Sequence, residues 1–151
     1  PMSPERAGSV PAFPLVEMCF SGQYTKAEIK KMLVGKGGAV AYFGTNDMRE
    51  IAARAEAGEE ACATFLKGFA VSVAKYVGAL ATVVGGKVDA IVLTGGIAHN
   101  KAMVEDIKAR VGFIAPVEVY AGENELESLA ENGYGILAGE FDIKYYHPDH
   151  F

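Results

Sequence analysis

The chain has 151 residues, half of them hydrophobic, and a formal net charge of −5, enough for one domain with a real core. Its 14 Lys and Arg are scattered rather than clustered, which leaves no nucleic-acid footprint. No run of about eighteen apolar residues is free of charge, so no membrane span is expected, and no signal peptide is visible.

The first fourteen residues, PMSPERAGSVPAFP, hold four of the six prolines. They show no obvious helix or strand and make few backbone ladders of their own. They read as a linker or as the middle of a larger protein. Leu15 to Phe20 predicts one or two helical turns. Thr25 caps a helix over Lys26 to Leu33, with Glu28 as its capping-box partner, and Gly35, Gly37 and Gly38 stop it. Ala39 to Phe43 reads as a helical turn, with a short strand as the alternative. Asn46 or Asp47 caps a helix that reaches about Glu56 and ends at Gly58.

Glu59 to Val84 is the longest periodic stretch. Ala63, Leu66, Phe69, Ala70, Val73, Val77, Leu80 and Ala81 recur at helical spacing, and the scarcity of charge in its later turns predicts burial on much of its surface. Gly68 and Gly78 are expected to mark close helix packing. Cys19 and Cys62 follow no metal-ligand spacing and sit among apolar residues, as reduced core thiols of a cytoplasmic protein do.

Val88 to Leu93 predicts a buried parallel strand. The residues TGGIAHN (94–100) then turn into a helix over Lys101 to Val111, with Asn100 as its cap. Glycine turns at strand ends let a ligand approach the backbone closely, and open α/β sheets bind ligands at that edge. Nucleotide binding is the functional reading of this unit; an ordinary strand–turn–helix joint has the same local pattern. Val117 to Tyr120 predicts a second strand. Glu125 to Leu137 predicts a last helix ending at Gly139, with Glu123 or Asn124 as cap. FDIKYYHPDHF (141–151) reads as a packed segment or a partly ordered end. Two strands among so many helices make a poor sheet. Either Ala39–Phe43 and Gly112–Ala115 add strands, or the missing strands lie outside this sequence; the second is favoured.

Four segments in order, SPERAGSVP (3–11), GTNDMREI (44–51), VDAIVLTGGIAHN (88–100) and YAGENELESLAENG (120–133), resemble the carboxyl-terminal part of the butyrate kinases. These belong to the acetate kinase group, within the superfamily of acetate and sugar kinases, Hsp70 and actin. The resemblance implies an α/β fold: a partial, helix-rich, ribonuclease H-like (actin-like ATPase) nucleotide domain with missing sheet strands. It implies reversible phosphorylation of a short-chain carboxylate by ATP, giving acyl phosphate and ADP, with magnesium. It implies that residues 1–151 are the carboxyl-terminal part of the nucleotide domain. The amino-terminal part of the same enzyme would be a partner, the complete enzyme a homo-oligomer, and the chain alone inactive.

Residue by residue, the resemblance makes Arg6 the arginine near the transferring phosphoryl group, where a charged planar fork suits shifting oxygen charge. A surface arginine, or a pair with Glu5, is the plainer alternative. Asp47, Met48 and Arg49 match the segment lining the adenosine site; Asp47 can equally cap its helix. Gly95, Gly96, Ala98, His99 and Asn100 match the glycine-containing ATP segment, where the following helix start favours phosphate. His99 stands where acetate kinases usually carry glutamate and reads as a pocket-edge residue. Glu125 matches a glutamate associated with magnesium, and a hard carboxylate suits that ion. A solvated acidic helix start is the plainer alternative for Glu123, Glu125 and Glu127.

Acetate, propionate and branched-chain acid kinases are the nearest alternatives. A non-catalytic nucleotide-binding or structural fragment is another class. No GxxxxGK[ST] loop is present, which argues against a P-loop enzyme.

Overall fold

The computed structural model describes residues 1–143 and 145; the final residues of the mixed aromatic tail lie outside them. In chain order come α1 (Ala12–Phe20), α2 (Lys26–Leu33), α3 (Gly38–Phe43), α4 (Met48–Glu56), α5 (Glu60–Val83), β1 (Ile91–Gly95), a 3-10 turn (Gly96–His99), α6 (Lys101–Val111), β2 (Val117–Ala121) and α7 (Glu125–Leu137). Among the described residues the sheet has two strands, paired in parallel from Ile91↔Val117 to Gly95↔Ala121.

Local chemistry accounts for three helix starts. Thr25 and Glu28 form a reciprocal capping box at α2. Asp47 caps α4 by accepting from the Arg49 amide at 2.9 Å, and Asn100 caps α6 by accepting from the Met103 amide at 3.0 Å. Each satisfies an amide the helix itself cannot use. Ala39–Phe43 is helical, as the favoured reading had it, and Gly112–Ala115 is not a strand.

The core lies where α5 packs on α4 and α6. Ile51, Cys62, Phe69, Ala70, Met103, Ile107 and Val111 meet there with Ile91 from the sheet. Full burial of a side chain such as Ile51 or Val111 contributes about 1.5–3 kcal/mol. Arg54 fixes the α4–α5 corner. Its guanidinium forks onto Glu59 at 2.7 and 2.8 Å and lies 5.3 Å from the centre of the Phe43 ring. This guanidinium lowers the Glu59 carboxyl, while burial pushes the Cys62 thiol up.

Several expectations are corrected. Helix α1 begins at Ala12, inside the proline-rich start, because Pro14 occupies the first turn, where a missing N–H is harmless. Cys62 is buried but Cys19 is exposed, since α1 buries none of its residues. The later turns of α5 are open rather than buried: Leu80 is 65% and Val83 79% exposed. A Cβ at Gly68 or Gly78 would meet nothing within 4 Å, so neither marks close packing among the described residues. By length and composition α5 is apolar enough to cross a membrane. Its first half is nonetheless built into the core, and Lys67 and Lys75 interrupt it. Strand β1 starts at Ile91, three residues later than expected, because β2 offers no partner to Val88–Ala90. Only Ile91 of this strand is buried. Its outward residues Val92 and Thr94, with Glu118 and Tyr120 of β2, form an uncovered face.

Candidate nucleotide and phosphoryl site

The segment before α1 is folded, not a loose linker. The Ser3 hydroxyl accepts from the Glu5 and Arg6 amides at 3.3 and 3.0 Å, and the Ser3 amide donates to the Arg6 carbonyl at 3.1 Å. The Glu5 carbonyl accepts from Gly35 and Gly37 at 2.8 and 3.0 Å, and the Ala7 amide donates to Leu33. Arg6 thereby forms an antiparallel bridge with Val34.

This turn requires glycine opposite it. A Cβ on Gly37 would run into the Ala7 amide, and one on Gly38 would fall on the Ser3 carbonyl oxygen; Gly38 also has φ +55°. Sequence reading treated these glycines only as a helix stop. Their density in GKGG was the available signal. The Arg6 side chain itself is exposed, and among the described residues no carboxylate lies within 4 Å of it. The alternative pairing with Glu5 is not formed. The Glu5 carboxylate instead accepts from Asn46 Nδ2 at 2.6 Å.

That bond joins the Arg6 turn to the 44–47 loop before α4. Asp47 is forked by Arg49 Nε and Nη2 at 2.9 and 2.8 Å. The Arg49 guanidinium, helped by the Arg49 amide, holds the Asp47 carboxyl down to about 2. Asp47 therefore performs the capping role and stays charged, with part of its acceptor capacity already used. Met48 packs against the core.

At the end of β1, Gly95 has φ +83° and exchanges both backbone hydrogen bonds with Gly122 at 3.1 Å. The His99 ring lies over Gly122, with Nε2 3.5 Å from where a Cβ would stand. His99 is thus at the rim of the turn. Gly122 was missed by sequence reading, although it directly follows the second strand. Ala98 is buried. Gly96 is exposed and its would-be Cβ meets nothing within 4 Å, so the outer side of the turn is open to a ligand.

The two halves of the candidate site share one core. Met48 and Ile97 lie against the same core cluster. A pocket of about 370 Å³ between α4, α5 and α6 takes in Asn100, with Ala52, Ala55, Leu66 and Met103. A larger pocket of about 660 Å³, lined by Met2, Tyr42, Phe43 and the start of α5, contains none of the candidate residues. Glu125 is exposed at the first turn of α7. Asn124 occupies the cap position there without a side-chain bond. Glu123, Glu125 and Glu127 do not converge: no group of three potential metal ligands forms among the described residues. Glu125 thus offers one hard carboxylate and not a cage, which fits magnesium, an ion that keeps several waters and leans on substrate phosphates.

The helix-rich α/β frame, with a two-stranded parallel sheet among the described residues, is a partial actin- and Hsp70-like fold missing most sheet strands. Solved structures agree on the fold. An acetate kinase from Porphyromonas gingivalis superposes with TM-score 0.78 at 24% identity, over 90% of this chain and 40% of that chain. A propionate kinase from Francisella tularensis subsp. tularensis SCHU S4 gives 0.69 at 25% identity, over 82% of this chain and 38% of its own. Residues 5–133 match the acetokinase family, and the chain belongs to it. A probable butyrate kinase from Clostridium botulinum (strain Alaska E43 / Type E3) is 48% identical over 146 residues, which is 97% of this chain and 41% of that relative. The chain thus spans about two fifths of the length of the curated relatives it matches.

Proposed function

We propose that this chain is the carboxyl-terminal part of the nucleotide domain of a butyrate kinase, transferring phosphoryl between ATP and butyrate to give butyryl phosphate and ADP. The observation that carries the reading is the extent of the family match: residues 5–133 include Arg6, the 47–49 helix start, the 95–100 turn and Glu125. In this reading the Gly95–Gly96 backbone and the helix start beyond it receive phosphate. Asp47, Met48 and Arg49 border the nucleoside, Asn100 and Ala98 hold the turn, and His99 edges it. Arg6 meets the transferring phosphoryl group. Glu125 holds magnesium, which supplies charge neutralisation at the phosphates. Acetate, propionate or a branched-chain acid is the alternative substrate, because an added methylene changes pocket binding by only about 1–3 kcal/mol.

The uncovered sheet face and the exposed Leu126, Leu129 and Leu137 of α7 support the view that further strands and helices of the same enzyme complete the domain. The chain alone then binds without turning over. An assay of acyl phosphate formed from ATP and butyrate, acetate or propionate tests this. The complete enzyme should be most active on butyrate and the chain alone should match the blank. Robust turnover by the chain alone would reject the incomplete-domain view, and a preference for acetate would reject butyrate.

Two substitutions in the complete enzyme probe the ligand positions. Gly96→Val should weaken ATP about tenfold or more, the equivalent of one lost hydrogen bond to a charged group. It should leave unfolding nearly unchanged, because a Cβ at this position meets nothing within 4 Å. Calorimetric ATP binding and thermal unfolding on the same variant separate the two; unchanged affinity sinks the turn assignment. Glu125→Gln should raise the magnesium needed for half-maximal activity on the order of tenfold, as losing a supporting metal contact does. Glu123→Gln should have less effect. Magnesium titrations in which neither responds return the acidic turn to a solvated helix start.

A further inference from the structure

We infer that Asn46 keeps Arg6 available by holding the Glu5 carboxylate turned toward itself and away from the Arg6 guanidinium. The inference rests on reading Arg6 as the residue that meets the phosphoryl group. Glu5 is adjacent to Arg6 in sequence and is the nearest acidic competitor by chain position. Its backbone is held by Gly35 and Gly37, so it cannot swing away as a loop would. Its carboxylate is nevertheless turned to Asn46 Nδ2, 2.6 Å away and 41 residues on. The Arg6 guanidinium is left without a carboxylate within 4 Å among the described residues. The same chain segment shows the reverse arrangement one residue beyond Asn46: Asp47 does engage a nearby guanidinium, that of Arg49. A guanidinium is thus engaged where the carboxylate is turned toward it, and Arg6 stays unpaired where the Asn46 bond keeps the Glu5 carboxylate turned away. Asn46 is a positioning residue acting through Glu5, and it couples the nucleoside loop to the phosphoryl end of the site.

The test uses the complete enzyme. Asn46→Ala releases Glu5 to pair with Arg6. An exposed ion pair holds its partner by a factor of up to about five, so kcat should fall by about that factor. The loss should shrink as ionic strength rises, because salt screens such a pair. Adding Glu5→Gln removes the competing charge, and Asn46→Ala/Glu5→Gln should recover most of the lost kcat. A role confined to holding the loops together predicts the opposite, since the double variant lacks the same contact. Thermal unfolding of each variant checks that all are folded. A double variant no faster than Asn46→Ala, or a salt-independent loss, overturns the inference. Arg6→Ala is measured alongside: if it keeps wild-type kcat, the reading of Arg6 fails first and this inference with it.

Discussion

Replacing Arg6 with alanine in the complete enzyme should lower kcat about 10²-fold or more, the size of effect seen when one preorganised donor to developing charge is removed. ATP affinity should change comparatively little, because a group needed most in the transition state affects the chemical step more than ground-state binding. The structure gives this expectation a physical basis. The Arg6 backbone is pinned on both sides, by Ser3 and by the bridge to Val34. Its guanidinium is exposed and has no carboxylate partner among the described residues. A rigid base with a free charged fork suits an oxyanion ligand and contributes little to stability. Arg6→Lys should recover only part of the loss, because an ammonium keeps the charge and not the planar fork. Steady-state kcat and KM for the two variants decide it. A near-wild-type kcat for Arg6→Ala places the residue outside the reacting centre.

Gly38→Ala should be the most destabilising single-methyl change near the site, by about 2–3 kcal/mol, or roughly 5–10 °C in Tm for a chain of this size. Two effects add. The residue sits at φ +55°, which L side chains rarely adopt, and its new Cβ would fall on the Ser3 carbonyl oxygen. Gly44→Ala is the matched control. It has φ +73° but nothing within 4 Å of its Cβ position, so only the backbone term of about 1–2 kcal/mol applies. Thermal unfolding of both variants isolates the steric part. Faster amide exchange at Gly35 and Gly37 in Gly38→Ala would show that the Arg6 turn has lifted off. Equal melting of the two variants would mean that the turn yields to the methyl without loss.

The features legible in the sequence were those fixed by neighbouring residues. Thr25 with Glu28, Asp47 before Arg49 and Asn100 before Met103 announce their helices because a cap is satisfied within three residues. The strand–glycine turn–helix at 91–111 was readable for the same reason. Missed features depend on distant partners. Nothing local to Glu5 announces Asn46, nothing local to Gly38 announces Ser3, and nothing local to Gly95 announces Gly122. The reading of α5 failed in its later turns because apolar periodicity identifies a face suited to burial without identifying what covers it. Strand β1 was set too early for a related reason. Val88 has strand character, yet a strand ends where its partner does. The family motifs singled out Arg6 and the 95–100 turn as candidates, whereas the clasp that holds the Arg6 turn became visible only in three dimensions.

The contrast between the two thiols gives the protein an internal chemical clock. Cys19 lies on the open surface of α1, while Cys62 is fully enclosed at the base of α5 and its thiolate is disfavoured by burial. A soluble thiol reagent should therefore modify Cys19 at once and reach Cys62 only when α5 parts from α4 and α6. The lag between the first and second added masses measures how often the core opens under native conditions, with no denaturant and no introduced label. When complementing segments or nucleotide bind and steady the fold, that lag should lengthen, turning a buried cysteine into a reporter of assembly.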